Sequence, residues 1–296
     1  MTKLKQWREI IILSAAAVLL LVYIIFRSGG NINYVLPVLP ALTGDDVTAI
    51  TAEGDGVSLR FEKSGGQWKI QPEGWEAAQA TLDSIAKTIA DLKPVDLIST
   101  AGKPEQYDLD EESRITVTAA GGGDVLRKFY AGKVSSAGIY TYVLFPGDDN
   151  IYSVRGDLRG RLGADAESFR EKEILRLPRG QISRFVLMGA DGTSAAVGLK
   201  DGVWTGEEGF EADSAAVDSM IPSLSPLRCT DFIDTPAGTP AWILTAETAE
   251  GDFTLEIWDK TEDGYPARSS SNGYPVMLTQ YTTENVLRVF GLSFGE

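Results

Sequence analysis

The sequence predicts an α+β fold: two similar modules in tandem, each an antiparallel sheet with one helix, behind a single N-terminal transmembrane helix. Three observations lead there. The stretch Trp75 to Ile98 returns 135 positions later as Phe210 to Ile233, with Glu76, Ala77, Ala80, Asp83, Ser84, Leu92, Asp96 and Ile98 meeting identical residues. Its apolar positions Leu82, Ile85, Ile89 and Leu97 meet Val217, Met220, Leu224 and Phe232. Similarity at one fixed offset marks a supersecondary unit used twice. Around both copies, short runs alternate apolar and polar residues between turn signals, the period-two pattern of half-buried antiparallel strands. Ahead of everything, Ile10 to Phe26 is apolar and uncharged.

That first run reads IIILSAAAVLLLVYIIF. As a helix rising ~1.5 Å per residue it reaches roughly 25 Å, a little short of a ~30 Å hydrocarbon core. Trp7 and Tyr23 are placed to sit near the two interfaces. A cleaved signal peptide has a shorter apolar run and a small-residue cleavage site. Here Arg27-Ser28-Gly29-Gly30-Asn31 follows, without a lipobox cysteine. The expectation is an uncleaved anchor that meets the lipid bilayer through Ile10 to Phe26. Lys3, Lys5 and Arg8 flank its start, and after Arg27 the next positive residue is Arg60. Positive charge stays inside. Residues 1–9 are therefore expected in the cytoplasm, and the chain beyond Arg27 outside the cell membrane. The expected organisation is a cytoplasmic N-terminus (1–9), an anchor (10–26), a linker (27–45), a first module (46–178) and a second module (179–296).

The elements follow in order. Gly29, Gly30, Pro37 and Pro40 mark the linker, with Val35–Leu42 able to rest on the first module. Val47–Ala52 and Val57–Glu62 flank Gly54-Asp55-Gly56, a hairpin signal. Trp68-Lys69-Ile70 is a third strand, and Pro72-Glu73-Gly74 turns the chain. From Ala77 to Leu92 the apolar residues Leu82, Ile85, Ile89 and Leu92 recur at helical spacing, and Pro94 stops the helix. Val95–Ser99, Arg114–Ala119, Leu126–Ala131, Tyr140–Phe145 and Ile151–Val154 read as strands, with Gly121-Gly122-Gly123-Asp124 and Gly147-Asp148-Asp149-Asn150 as turns. Glu167–Leu175 reads as a short helix or turn. The second copy places strands at Arg184–Met188 and Ala195–Lys200, Trp204 in the place of Trp68, and a helix at Ser214–Leu224. Strands at Trp242–Ala246, Phe253–Trp258 and Val276–Leu278 follow, then a terminal helix at Asn285–Phe290.

Composition narrows the chemistry. The chain has 296 residues and no histidine, which removes the Ser-His-Asp triad, the Cys-His dyad and imidazole zinc sites. Cys229 is the one cysteine, so no disulfide forms within the chain, and a buried or half-buried thiol is expected there. Net charge is −15; the first 27 residues carry +3, which leaves −18 on the rest. Such a surface repels phosphate backbones, so no nucleic acid partner is expected.

Several residues raise chemistry that their context answers. Ser84-x-x-Lys87 has the spacing of a penicillin-binding nucleophile, but Lys260-Thr261 is followed by Glu262, not glycine, and the second copy has Ser219 and Pro222. Asp108 to Glu112 is an acidic cluster without the glycine and spacing of a calcium loop. Asp148-Asp149-Asn150 is a turn signal. Asp83 and Asp218 are paired carboxylates by position, but they lie in different copies, which favours a shared structural hydrogen bond over acid–base work. Trp68, Trp204, Trp75 and Phe210 read as core aromatics, with a sugar- or peptide-binding platform as the alternative. The glycines at Gly121 to Gly123 and Gly132-Lys133 lack a full phosphate-binding pattern. No catalytic residue, metal site or cofactor is expected.

The order of these pieces resembles the bacterial domain of unknown function 4340 family. Its marks here are Trp68-x-Ile70-x-Pro72, a helix with Asp83, Asp96-Leu97-Ile98, Tyr107-x-Leu109, Gly132, Tyr142-Val143, Phe169-Arg170 and Ile174-Leu175. Asp108 departs from the pattern, since a glycine is expected between Tyr107 and Leu109. Some members are similar to substrate-binding-like components encoded with ABC-type exporters, gliding-motility transporters among them. The resemblance implies an envelope accessory role and supplies no catalytic residues. The function expected is therefore that of a membrane-anchored, extracytoplasmic, non-enzymatic binding or scaffold protein beside an ABC-type permease. The alternatives are a stand-alone peptide- or glycan-binding module and a carboxylate-based extracytoplasmic hydrolase.

Overall fold

Alternation builds the first sheet. In the strand Ile115–Gly121 every second residue is buried, and Ile115, Val117 and Ala119 enter the core while their neighbours stay partly exposed. The structure is a computed structural model that describes Trp7 and residues 14–23, 34–100, 102–207 and 209–292. Its first half contains β1 (Ala49–Gly54), β2 (Val57–Ser64), β3 (Gln67–Ile70) and β4 (Trp75–Glu76), then α1 (Gln79–Ala90) and β5 (Pro94–Ser99). The meander β6 (Ile115–Gly121), β7 (Asp124–Val134), β8 (Tyr140–Leu144) and β9 (Ile151–Arg155) follows, closed by the short α2 (Leu158–Leu162). A connector holds β10 (Glu173–Leu175).

The second half has β11 (Ile182–Gly189), β12 (Ser194–Lys200), β13 (Val203–Gly206), α3 (Ser214–Leu224), β14 (Leu227–Arg228) and β15 (Asp231–Phe232). The meander β16 (Trp242–Thr248), β17 (Gly251–Ile257), β18 (Tyr265–Ser269) and β19 (Pro275–Leu278) ends in α4 (Gln280–Arg288).

The first sheet has nine strands in the order β4-β3-β2-β1-β6-β7-β8-β9-β5, and the second has eight in the order β13-β12-β11-β16-β17-β18-β19-β15. With β4 set aside, the two orders are the same path. A three-strand meander runs outward, the chain crosses over through the helix, and the next strand pairs with the last strand of a second meander. Each half buries its own cluster, one from Val47 to Phe169 and one from Ile174 to Phe290. The helix supplies the lid: Leu82, Ile85, Ala86 and Ile89 of α1 face the first cluster, and Val217, Met220 and Leu224 of α3 face the second. Full burial of an aliphatic side chain of this size contributes about 1.5–3 kcal/mol. Leu36 and Leu39 also rest on the first cluster, while Val35 and Val38 point to solvent.

Two parts of the expected fold are corrected. The balance is predominantly β, with two large antiparallel sheets of nine and eight strands against helices of twelve and five residues in the first half and eleven and nine in the second. The reason is that helical periodicity is confined to one long helix in the first half and two in the second, while strands extend into segments that carry turn residues. The transmembrane helix is the second correction. Of Ile10 to Phe26, residues 14–23 are described, and they are helical; the remainder of that run lies outside the described residues, as do the charged positions Lys3, Lys5, Arg8 and Arg27. Among the described residues no helix is long and apolar enough to cross a membrane.

The halves meet at the connector. Ala78 and Glu171 donate backbone N–H groups to Phe169 and Glu76, at 2.8 and 2.9 Å, which ties the connector to the first half. Cys229 N–H donates to the Lys172 carbonyl at 2.9 Å, and β10 pairs with β14, which ties it to the second. Between them the buried Arg170 guanidinium lies 4.2 Å from the ring centre of Trp75, 3.4 Å from Phe232 and 5.4 Å from Tyr274. Trp75 belongs to β4 of the first sheet and Phe232 to β15 of the second, so one cation shares aromatic faces from both halves.

Candidate functional site

A cleft follows from how α1 sits on its sheet. With Leu82, Ile85 and Ile89 turned inward, the positions three and four apart on the adjoining face, Ser84, Lys87, Thr88 and Asp91, line one wall of a groove. The corner after β9 and the start of α2 form the other wall, through Arg155, Asp157 and Arg161. Leu92, Val154 and Leu158, all buried, make the floor, and the groove encloses about 600 Å³.

Four cations border it: Lys87, Lys93, Arg155 and Arg161. Two carboxylates answer them, and both are engaged. Lys87 Nζ donates to Asp91 Oδ2 at 2.7 Å, which raises the lysine pKa and lowers that of the aspartate from their ordinary values. Asp157 Oδ1 accepts from the Gly160 N–H at 2.6 Å and caps α2. Arg161 Nη1 reaches Thr88 Oγ1 at 3.4 Å, one wall to the other. The side chains of Lys93 and Arg155 are exposed and form no ion pair or side-chain hydrogen bond among the described residues.

The second half repeats the place without the charge. Between α3 and α4 a smaller groove of about 320 Å³ is lined by Ser219, Ser223, Tyr281, Asn285 and Arg288. Its one cation, Arg288, is drawn to Glu284 at 3.6 Å and to Asn285 at 3.4 Å. The difference lies in the helix after the meander. Five residues in α2 leave the first groove open, whereas nine residues in α4 lie along α3 and fill the second.

The residues raised by sequence are distributed as follows. Trp68 Nε1–H donates to Asp83 Oδ1 at 2.9 Å, and Trp204 Nε1–H donates to Asp218 Oδ1 at 3.0 Å. The first residue of each helix adds a second tie: Gln79 Oε1 accepts from Trp68 N–H at 2.7 Å, and Ser214 Oγ accepts from Trp204 N–H at 3.1 Å. The paired aspartates are thus clamps between helix and sheet, one in each half. Trp75 faces Arg170, and Phe210 stacks on Phe290 with ring centres 6.4 Å apart. Ser84 and Lys87 share the groove wall, but Lys87 is held by Asp91, and no Ser84–Lys87 hydrogen bond exists among the described residues. In the acidic cluster Asp110 Oδ1 accepts from Ser113 N–H and Oγ–H at 3.1 and 3.0 Å, a local turn. No group of three or more metal-ligating side chains gathers among the described residues. Asp148 Oδ1 accepts from Asn150 N–H at 2.9 Å in its turn, and its other oxygen accepts from Tyr152 Oη–H at 2.7 Å. Cys229 is buried, and burial pushes its thiol pKa up.

Sequence reasoning missed Lys93, Arg155 and Arg161, and named Arg170 only within the Phe169-Arg170 mark. For the first three a signal was present: cations at each end of the short Arg155–Arg161 stretch, and a lysine just past the helix, in a chain this acidic. The role of Arg170 between the halves gave no local signal, because its aromatic partners are scattered along the chain.

A family model described as "Domain of unknown function (DUF4340)" matches residues 68–244, more than half of the chain. No curated protein and no solved structure matches.

Proposed function

The chain belongs to the DUF4340 family, a domain of unknown function, and we propose that it is an extracytoplasmic, non-enzymatic binding or scaffold protein that serves an ABC-type transporter or envelope complex. One observation carries this reading. Most of the polar groups that sequence offered as reagents are engaged by partners within the chain, while the open groove beside α1 keeps unpaired charge at its rim. Asp83 and Asp218 hold indoles, Lys87 holds Asp91, and Asp110 holds its own turn. A groove of about 600 Å³ lies in the range of small-molecule and peptide sites, roughly 300–1,000 Å³.

The accessory role takes its support from the resemblance to transporter-associated components. The shared Arg170 joint supports a scaffold, because two sheets fixed to one another offer a partner a single continuous surface. The test is in-cell crosslinking of the full-length protein, followed by identification of what is bound. Recovery of an ABC-type permease supports the accessory role. Recovery of the protein alone overturns that role and leaves a stand-alone binding module.

A further inference from the structure

We infer that the groove between α1 and the β9–α2 corner binds a small soluble polyanion, one carrying more than one carboxylate or phosphate charge. The inference deepens the binding-protein reading and rests on it, but needs no transporter partner.

Charge placement is the first argument. The chain carries −15 overall, and a field of that sign drives anions away from most of its surface. Here the sign reverses locally. Four cations meet in one concavity, and its two carboxylates are occupied by Lys87 and by the Gly160 N–H. Lys93, which helps hold the Asp91 pKa down, and Arg155 form no ion pair or side-chain hydrogen bond among the described residues. Two unpaired cations facing one space repel each other, and an anion between them removes that repulsion. The guanidinium of Arg155 offers the planar fork that carboxylate and phosphate oxygens accept. The buried floor of Leu92, Val154 and Leu158 keeps water from one side, which strengthens the attraction over that of an open surface.

The second half supplies an internal comparison. The repeat places Arg228 where the first half has Lys93, Pro222 where it has Lys87 and Pro226 where it has Asp91. Arg228 there lies 3.8 Å from Glu171 instead of facing an open cleft. The same topology thus exists with and without a cationic groove, so the charge is not a requirement of the fold. A solvated helix face accounts for lysines on α1. It does not account for Arg155 and Arg161 approaching the same space from a separate element.

Isothermal titration calorimetry on the purified full chain tests this, with pyrophosphate and citrate as the probes. The variants are the Lys93→Ala/Arg155→Ala pair and, as control, Arg228→Ala. The substituted side chains in the pair are exposed and unpartnered, so an unchanged unfolding midpoint is expected and is measured alongside. The expected result is saturable binding of at least one probe, weakened by salt, with affinity about tenfold or more lower in the double variant and unchanged in Arg228→Ala. Pyrophosphate alone binding assigns the site to phosphate, and citrate alone to carboxylate. No saturation with either probe up to about 10 mM, weaker than any functional small-ligand site needs to be, overturns the inference. So does equal affinity in wild type and double variant. Neither result bears on whether a permease is recovered by crosslinking, so the two proposals fail separately.

Discussion

The indole of Trp68 and the carboxylate of Asp83 form a hydrogen bond that fastens α1 to the outer end of the first sheet, 2.9 Å long and repeated by Trp204 and Asp218 at 3.0 Å. Trp68 is fully buried, so its N–H has no water to fall back on. Asp83→Ala is therefore expected to cost about 1–3 kcal/mol, the penalty for a buried donor left unpaired. Removing both partners together, with Trp68→Phe added, is expected to cost less than the sum of the two single changes. Urea denaturation of the four proteins measures the coupling, and strict additivity would refute a bond of this kind.

The same bond predicts an acid sensitivity. The indole donor first, against opposing desolvation, and then Lys63 hold the Asp83 carboxyl below its ordinary range. A carboxylate whose folded pKa is depressed contributes stability above its unfolded pKa, near ~3.9, and that stability is lost as pH falls through the folded value. Acid destabilisation should consequently be shallower in Asp83→Asn than in wild type below about pH 4. Equal slopes in a pH series of denaturation midpoints would count against it.

Arg127 explains how α1 ends. Its Nη1 donates to the carbonyls of Ile89 and Ala90, each at 2.6 Å, and its Nη2 to that of Pro40 at 2.5 Å. The last carbonyls of a helix lack intrahelical partners, and here a cation from β7 meets two of them. Arg127→Met keeps much of the buried stem but removes the donor from the Ala90 and Pro40 carbonyls and leaves the Ile89 carbonyl to backbone N–H groups, that of Leu92 among them. A loss of about 3 kcal/mol is expected, together with faster proteolytic cleavage within residues 36–42, whose Pro40 anchor is gone. Cleavage unchanged in that segment would show the anchor to lie elsewhere.

How far the sequence could be read follows from the range over which each signal acts. The β1–β2 hairpin, α1, α3 and most of both meanders were legible because period and turn residues are local. Tyr265–Ser269 was not, since Pro266 and the preceding Gly264 disguise a strand that the neighbouring β17 and β19 hold in place. Glu173–Leu175 read as a helix or turn but pairs with β14, a partner that no local pattern reveals. The clamps were half legible: the repeat flagged Asp83 and Asp218 as structural, but their indole partners lie across a turn. The groove was least legible, because its two walls come from distant stretches and acquire meaning only when the sheet sets them side by side. Among the described residues no helix is long and apolar enough to cross a membrane, so the apolar run at Ile10 to Phe26 is the strong local signal that the structure does not match.

Arg170 makes the union of the halves testable. Its cation is shared by Trp75 and Phe232, at 4.2 and 3.4 Å, and a desolvated cation–aromatic contact contributes about 2 kcal/mol. Calorimetric unfolding of the wild type is expected as one transition. Arg170→Ala is expected to split it in two, since each half retains its own buried cluster. Arg170→Lys should fall between, because an ammonium keeps charge but loses the flat face that stacks. A single transition in Arg170→Ala, shifted or not, would mean that the connector's backbone bonds suffice to couple the halves.

Gly132 shows why scattered residues of the family pattern belong together. A Cβ built there would lie 2.1 Å from the Tyr107 carbonyl oxygen and 2.8 Å from Leu109 Cγ. Tyr107 in turn meets Tyr142 edge to face, with ring centres 4.9 Å apart. Tyr107, Leu109, Gly132 and Tyr142 are thus one contact in which β7 passes close under the loop before β6. Asp108 holds that loop with φ of 54°, a left-handed conformation that glycine adopts freely and aspartate tolerates. This is how the chain departs from the expected glycine and keeps the turn. Gly132→Ala should cost about 3 kcal/mol, because the clash is with backbone that cannot rotate away. Asp108→Gly should leave stability within about 1 kcal/mol of wild type, the relief of a left-handed residue offsetting the added freedom of the unfolded chain. The exposed neighbour Lys133→Ala should change it by about 0.5 kcal/mol or less. Urea midpoints for the three variants test the ranking, and a Gly132→Ala protein as stable as Lys133→Ala would contradict the close approach.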